Sequence, residues 1–459
     1  MAPTAVHSSL PWLGACLLLA ACAGAPPDEL DPLASLAALE RVVLAEAPRA
    51  VVARVGSGAP AFDAQDGLDA REASALALHL HPRLRAQRAE LGVARAQLVE
   101  AGLLPDPTIG WESGNVVADF ITEGKSTANS YIAGLVIEWD VPRPGELGSR
   151  EAEARARIDE ARAALLQSEW QLVGQVHGAC LRLAAAEAAL RLNLEQAGVA
   201  ERTMAYFSDA RRLGEVTALQ SRLVGVAQAR VLADQARLQV EVSEARQTLL
   251  ALLGLPPTTP FRLQDGARLL APAPGAEDVA TLVQEAVRRR PDLAVLATQH
   301  AQAEARLRLE EARRWPRLSI GSGIGLQLPI FSRFNAPAVE TATRAREAAR
   351  RRFEAAVHEV RREVHTAATV FALTDAWVRR FEEQVLPAVE DTLRLTRAAV
   401  QAGEFTASDV LTAQTQALEA QTELLAARVR RAEARIALDT ASGRLAPAPE
   451  PPPADEEEE

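Results

Sequence analysis

The chain carries one motif twice. Leu213-Gly214-Glu215-Val216-Thr217-Ala218 returns as Ala402-Gly403-Glu404-Phe405-Thr406-Ala407, an offset of 189 (402 − 213). The same offset pairs Glu201 with Glu390, Thr203 with Thr392 and Gly254 with Gly443. Each Gly-Glu turn joins a very long helical pattern to a second one that ends at the paired glycine. A tandem repeat of long helical hairpins is an architecture rather than an enzyme signature, and it points to an elongated, repeat-built assembly.

Composition agrees. The 459 residues are rich in Ala, Leu, Arg and Glu and only 4% aromatic, as long helices packed side by side require. The chain therefore reads as one duplicated unit, mainly α with a small β part, rather than several independent domains. The net charge of −11 and the lack of a basic stripe exclude a nucleic-acid partner.

The N-terminus reads as a targeting segment. Leu13 to Ala21 is apolar but too short to span a bilayer permanently. It ends in Leu19-Ala20-Ala21-Cys22, which fits a bacterial lipobox. Residues 1–21 are then a lipoprotein signal peptide, and the Cys22 thiol takes the lipid. An ordinary secretory signal with an incidental cysteine is the alternative, because no Lys or Arg precedes the apolar run. Leu13-Gly14-Ala15-Cys16 also fits, after a shorter apolar stretch. Ala23 suits sorting to the outer membrane. Cys180 stands alone in a helical pattern and reads as a small core residue.

Residues 22–66 form an N-terminal segment. The first repeat, 67–254, holds short helices closed by His81-Pro82, a β-hairpin at about 108–142 and a long helical hairpin over 148–254. Residues 255–278 link it to the second repeat, 279–445. That repeat has a short β block at about 317–331 and a long helical hairpin over 337–443. Residues 446–459 form an acidic tail that is expected to be disordered. Leu238, Val242, Ala245, Leu249 and Leu252 make one three-four seam; Val357, Val360, Val364, Ala367 and Phe371 make another. Gly198 and Pro387 share the repeat offset, so both long helices are expected to weaken at one level.

The strand blocks differ. A bilayer-crossing strand needs ~9–11 residues. The stretch between Pro107 and Pro142 holds two; that between Pro316 and Pro329 does not. A shorter barrel, a borrowed strand, or a degenerate membrane part held by the Cys22 lipid remain open.

The order of short helices, strand pair, long helix, Gly-Glu turn and returning helix, given twice behind a lipobox, resembles the TolC-type outer-membrane efflux proteins. Gly67-Leu68-Asp69 through His81-Pro82-Arg83-Leu84 resembles the family's opening, and Ala407-Ser408-Asp409-Val410-Leu411-Thr412 the segment after its second turn. Ala101-Gly102-Leu103-Leu104-Pro105-Asp106-Pro107 and Leu328-Pro329-Ile330-Phe331 are most similar to its cobalt-zinc-cadmium branch. The resemblance implies a homotrimer sharing one α-barrel and one β-barrel, anchored in the outer membrane and reaching into the periplasm. It would be the passive exit duct of a tripartite efflux pump. The tips Arg212, Leu213, Gly214, Glu215, Ala402, Gly403 and Glu404 would dock on a periplasmic adaptor served by an inner-membrane transporter. Asp409 would form a cation-attracting ring at the periplasmic gate.

Plainer readings stand beside these. Asp409 also suits the N-terminus of a helix, and Arg211 and Arg212 also suit ion pairs with Glu201 or Asp209. His79 and His81 are two apart and point to different helix faces; His358 and His365 share a face but lie ~10 Å apart. No catalytic, metal or cofactor site is expected beyond the lipid on Cys22. The exit duct of a type I secretion system and a non-conducting coiled-coil lipoprotein are the alternative functions.

Overall fold

The computed structural model describes residues 30–42, 49–55, 67–116, 130–214, 216–264, 266–271, 278–321, 324–401 and 407–449. The chain divides into two units, Met1–Val43 and Leu44–Glu459. The first contains helix α1, Pro32–Glu40, started by the Asp31 side chain accepting from the Leu33 amide. No residue of α1 is buried, and Leu33, Leu36 and Leu39 are exposed.

The second unit begins with α2, Arg49–Val55, then α3, Ala70–Leu80, and α4, Pro82–Gly102. Helical structure thus already occurs in the N-terminal segment, ahead of the first repeat expected from residue 67. Asp69 opens α3 with a capping box, accepting from the Arg71 and Glu72 amides while Glu72 accepts from its own. Strands β1, Thr108–Val116, and β2, Ser130–Val141, precede α5, Glu146–Arg212. At ~1.5 Å per residue, the 67 residues of α5 span about 100 Å. Helix α6, Ala218–Leu253, returns along α5.

The second half repeats this order with α7, Val279–Arg289, α8, Pro291–Ala312, β3, Arg317–Ile320, and β4, Ile324–Gln327. The long helix is interrupted: α9, Ala336–Arg380, passes into a π segment, Phe381–Val385, and continues as α10, Leu386–Gln401. Helix α11, Ala407–Ala441, returns.

Only one of the two expected weak points is realised. Pro387 has no N–H to donate, and the widened π turn just before it absorbs the lost bond. Gly198 keeps its N–H, so α5 runs through it unbroken. The matching levels of the two halves are therefore not equivalent.

Each long helix is flanked by two shorter ones placed end to end. Beside α5, α6 stops at Gly254 where α4 begins; beside α9, α11 stops at Gly443 where α8 begins. Gly254 and Gly443 have φ of +72° and +73°. A Cβ on Gly254 would lie 3.0 Å from the Leu80 carbonyl oxygen, and one on Gly443 would lie 3.2 Å from the Arg290 amide. Only glycine combines a left-handed end with that approach.

The core lies at these junctions. Leu76, Leu78, Val176, Leu183, Leu249 and Leu253 are fully buried in the first half. Leu282, Leu293, Val360, Val364, Phe371 and Leu438 form the counterpart. Residues 446–449, expected in a disordered tail, are ordered: the Ala448 amide donates to the Arg54 carbonyl at 2.8 Å.

Candidate functional site: a membrane sheet and two helical tips

The four strands form one antiparallel sheet in the order β1-β2-β3-β4. Its register sorts side chains by chemistry. Ile109 faces Ile137, Trp139 faces Ile320, Val141 faces Leu318, Leu318 faces Leu326 and Ile320 faces Ile324. Side chains alternate along a strand, so these residues share one face. The other face carries Thr108, Glu138, Asp140, Arg317, Ser319 and Gln327, with Arg317 paired to Asp140 at 3.1 Å. Ile109, Ile137, Ile324 and Leu326 are more than half exposed on the apolar side. An exposed apolar face backed by a polar one is the pattern of a barrel wall in lipid.

Below the sheet, Trp139 Nε1 donates to the Pro105 carbonyl and Arg143 Nε to the Trp315 carbonyl, at 2.9 and 2.8 Å. Residues Arg333, Phe334 and Asn335, entering α9, all have φ near +55°. Asn335 holds this left-handed run by donating to the carbonyl and carboxylate of Glu310 at 2.8 and 2.9 Å. Nothing in the sequence pattern signals this turn.

At the opposite end, α5 closes on Leu213 and Gly214, which has φ +79°. Leu213 is exposed. Arg212 is exposed as well and pairs with Asp209, the plainer of its two expected roles. Thr217 caps α6: its hydroxyl accepts from the Gln220 amide, and Gln220 Oε1 accepts from the Thr217 amide at 2.8 Å. Glu215, Ala402, Gly403 and Glu404 lie outside the described residues, as does Cys22. Asp409 falls in the first turn of α11, one repeat offset from Gln220, and its side chain is outside the description.

Two adjoining grooves follow the seam between α5 and α11. One, of about 850 Å³, is lined by Trp170, Gln175, Arg362 and Thr440; the other, of about 650 Å³, by Ala186, Glu241 and Thr422. Arg182 and Glu433 line both. Among the described residues no cluster of three His, Cys, Asp or Glu side chains could hold a metal ion. None of the described helices is long and apolar enough to cross a membrane.

The sequence did not disclose the ion cluster where α2 meets α5. Glu169 is fully buried and accepts from Arg88 at 2.8 Å and from Arg54. Its partners lie 81 and 115 positions away, beyond any local pattern.

The profile of the outer membrane efflux protein family matches residues 73–255 and 319–444, most of the chain. The protein belongs to the outer membrane efflux protein family. Pyoverdine export outer membrane protein OpmQ of Pseudomonas aeruginosa is 26% identical over 482 residues, covering 95% of this chain and 96% of that protein. Cobalt-zinc-cadmium resistance protein CzcC of Cupriavidus metallidurans is 23% identical over 394 residues, covering 82% and 91%. Among solved structures, the outer-membrane channel OprN aligns with a TM-score of 0.67 at 18% identity, over 91% of this chain and 98% of that one. CusC aligns with a TM-score of 0.65 at 19% identity, over 91% and 99%. This family member has the TolC-type fold of duplicated helical hairpins, and its role is that of an outer-membrane exit duct for efflux.

Proposed function

We propose that three copies of this chain close into one duct, anchored in the outer membrane through the lipid on Cys22. The carrying observation is the sheet. Its apolar face suits lipid, but among the described residues β1 and β4 leave it with two open edges. Unpaired backbone groups are not tolerated in hydrocarbon, so copies of the same sheet must complete the wall. The stacked helices α4–α6 and α8–α11, beside α5 and α9–α10, then supply the staves of a hollow helical barrel. The grooves shared by Arg182 and Glu433 line its inner wall.

In this reading the tips, Arg212 to Glu215 and Ala402 to Glu404, dock on a periplasmic adaptor, which joins the duct to an inner-membrane transporter. That transporter supplies the energy and selects the cargo. Relatives named for pyoverdine export and for cobalt-zinc-cadmium resistance fit a wall that selects little. Asp409 rings the closed tip and draws cations.

Negative-stain electron microscopy of the detergent-extracted protein tests the assembly. A hollow, three-fold particle on the order of 100 Å long is expected. A thin rod without a lumen, or a monomer, would overturn the duct.

A further inference from the structure

Helix α5 carries two glycines one turn apart, Gly174 and Gly178, deep inside its 67 residues. Glycine in a helix interior is destabilising relative to alanine, so a pair of them calls for a reason. Close backbone packing does not supply it. A Cβ on Gly178 would meet nothing within 4 Å, and one on Gly174 only the Thr440 side chain, at 3.6 Å. The two glycines instead open the floor of the larger groove, of about 850 Å³, together with Ala434 and Ala437 of α11.

This floor lies on the side of α5 away from the short helices. Glu169 holds Arg54 of α2 and Arg88 of α4, and the Asp69 carboxylate at the start of α3 acts on Cys180. Gly178 is two residues before Cys180, so it points about 200° away from it around the helix. Gln171, Gln175 and Arg182 follow its side at spacings of three and four, and all three are exposed.

The groove keeps polar groups without partners at its two ends. At one end Trp170 is 6% exposed, and its indole N–H has no hydrogen-bond partner among the described residues. The Arg290 guanidinium, 5.2 Å from the centre of the Trp170 ring, is already held by Asp292 and Glu363. At the other end, ~18 Å along α5, Arg182 and Glu433 line the strip shared with the second groove. Neither has a hydrogen bond or ion pair among the described residues. A buried donor without an acceptor costs free energy, so a bound acceptor is favoured at Trp170. A groove of this volume has room for a small organic molecule.

We propose that the groove binds elongated amphipathic organic anions, with an acidic group on Arg182, an apolar body over Gly178 and Gly174, and an acceptor at the Trp170 indole. It favours a chemical class rather than one molecule. Glu433, beside Arg182, repels the acidic group and so keeps the hold weak enough for release. The place of the groove on the wall of the passage rests on the duct reading.

A dansyl-labelled fatty acid has the three parts, a carboxylate at one end and sulfonamide oxygens at the other. It is titrated against the full-length protein in lipid nanodiscs, with empty discs as background. Saturable energy transfer from tryptophan to dansyl is expected. Arg182→Gln should raise Kd about tenfold, through the loss of one charge-assisted hydrogen bond. Glu433→Gln should lower it severalfold. Gly178→Leu should abolish the saturable component by filling the open floor, while Gly178→Ala should keep it. Equal binding by Gly178→Leu and the unaltered chain, or no response to Arg182→Gln, would overturn the site. A hollow, three-fold particle without saturable binding would also overturn it and leave the duct standing. Saturable binding by a particle without a lumen would overturn its place on the passage and leave the site.

Discussion

Arg54 and Ala448, 394 residues apart, are joined by a reciprocal pair of hydrogen bonds. The Arg54 Nε donates to the Ala448 carbonyl, and the Ala448 amide donates to the Arg54 carbonyl, both at 2.8 Å. The same guanidinium reaches Glu169 on α5, which also holds Arg88 of α4. The start of the second unit, its C-terminal segment and two helices thus meet at one buried carboxylate. Removing one partner of a buried pair leaves uncompensated charge and costs about 3–5 kcal/mol. Glu169→Ala should therefore lower the thermal unfolding midpoint strongly, whereas Glu151→Ala, in a half-exposed pair, should barely move it.

The two junction glycines make a matched prediction. Gly254→Ala and Gly443→Ala each force a left-handed alanine against neighbouring backbone, at a cost of about 2 kcal/mol or more. Gly198→Ala has the opposite sign. In the interior of α5 its Cβ would meet only Arg202 Nη1, at 3.6 Å, so alanine should stabilise by about 0.5–1 kcal/mol. Unfolding midpoints of the three variants in one detergent check both signs.

His177 gives a pH dependence. Burial pushes its imidazole down to about 4, with nearby Asp69 opposing and Arg71 adding to the shift. The folded state then binds fewer protons than the unfolded state between the ordinary value of 6.5 and about 4. Stability from this group is complete above pH 6.5 and is lost as the pH falls towards 4. Allowing for its partial exposure, the loss is on the order of 2 kcal/mol. His177→Gln should flatten the fall in midpoint between pH 7 and pH 4.5; an unchanged slope would assign the fall to other groups.

Thiol chemistry separates Cys180 from the lipid site. Burial pushes the Cys180 thiol up to about 12, so it is neutral and shielded in the folded protein. Maleimide labelling at pH 8 should be negligible until denaturant is added, and should then reach one thiol per chain if Cys22 is acylated. Two thiols would place the chain outside the lipoproteins.

Asp409→Ala tests the gate. Cation selectivity and low-salt conductance should both change if the carboxylate faces the passage, because a charge near one axis acts strongly only where screening is weak. The repeat offers a plain competitor: at Gln220, the equivalent position, the side chain folds back on the Thr217 cap. An Asp409 that does the same would alter stability and leave selectivity untouched.

Much of this architecture was legible because it is periodic. The 189-residue offset, the paired Gly254 and Gly443 and the three-four seams are local patterns, and the helices follow them. The shortness of the second strand block was visible as a distance between prolines; its seat at the foot of β2 was not, because register depends on the partner strand. Pairing Gly198 with Pro387 overestimated glycine, which weakens a helix through entropy but keeps its hydrogen bond. The Glu169 cluster was hidden because its members come from three separate stretches of chain. The Arg333-Phe334-Asn335 turn was hidden because none of its residues is a glycine, and a side-chain clamp from Asn335 stabilises it instead.

A π turn adds about one residue to a helical turn and so rotates everything beyond it by about 100°. Residues of α10 therefore present different faces from those a straight continuation of α9 would give, while α5 keeps one phase throughout. A ring of duplicated hairpins could in principle treat all its members alike, as six equal units. With the phase slip in only one hairpin of each chain, alternate members cannot be interchanged. In the proposed trimeric ring the symmetry therefore drops from six to three.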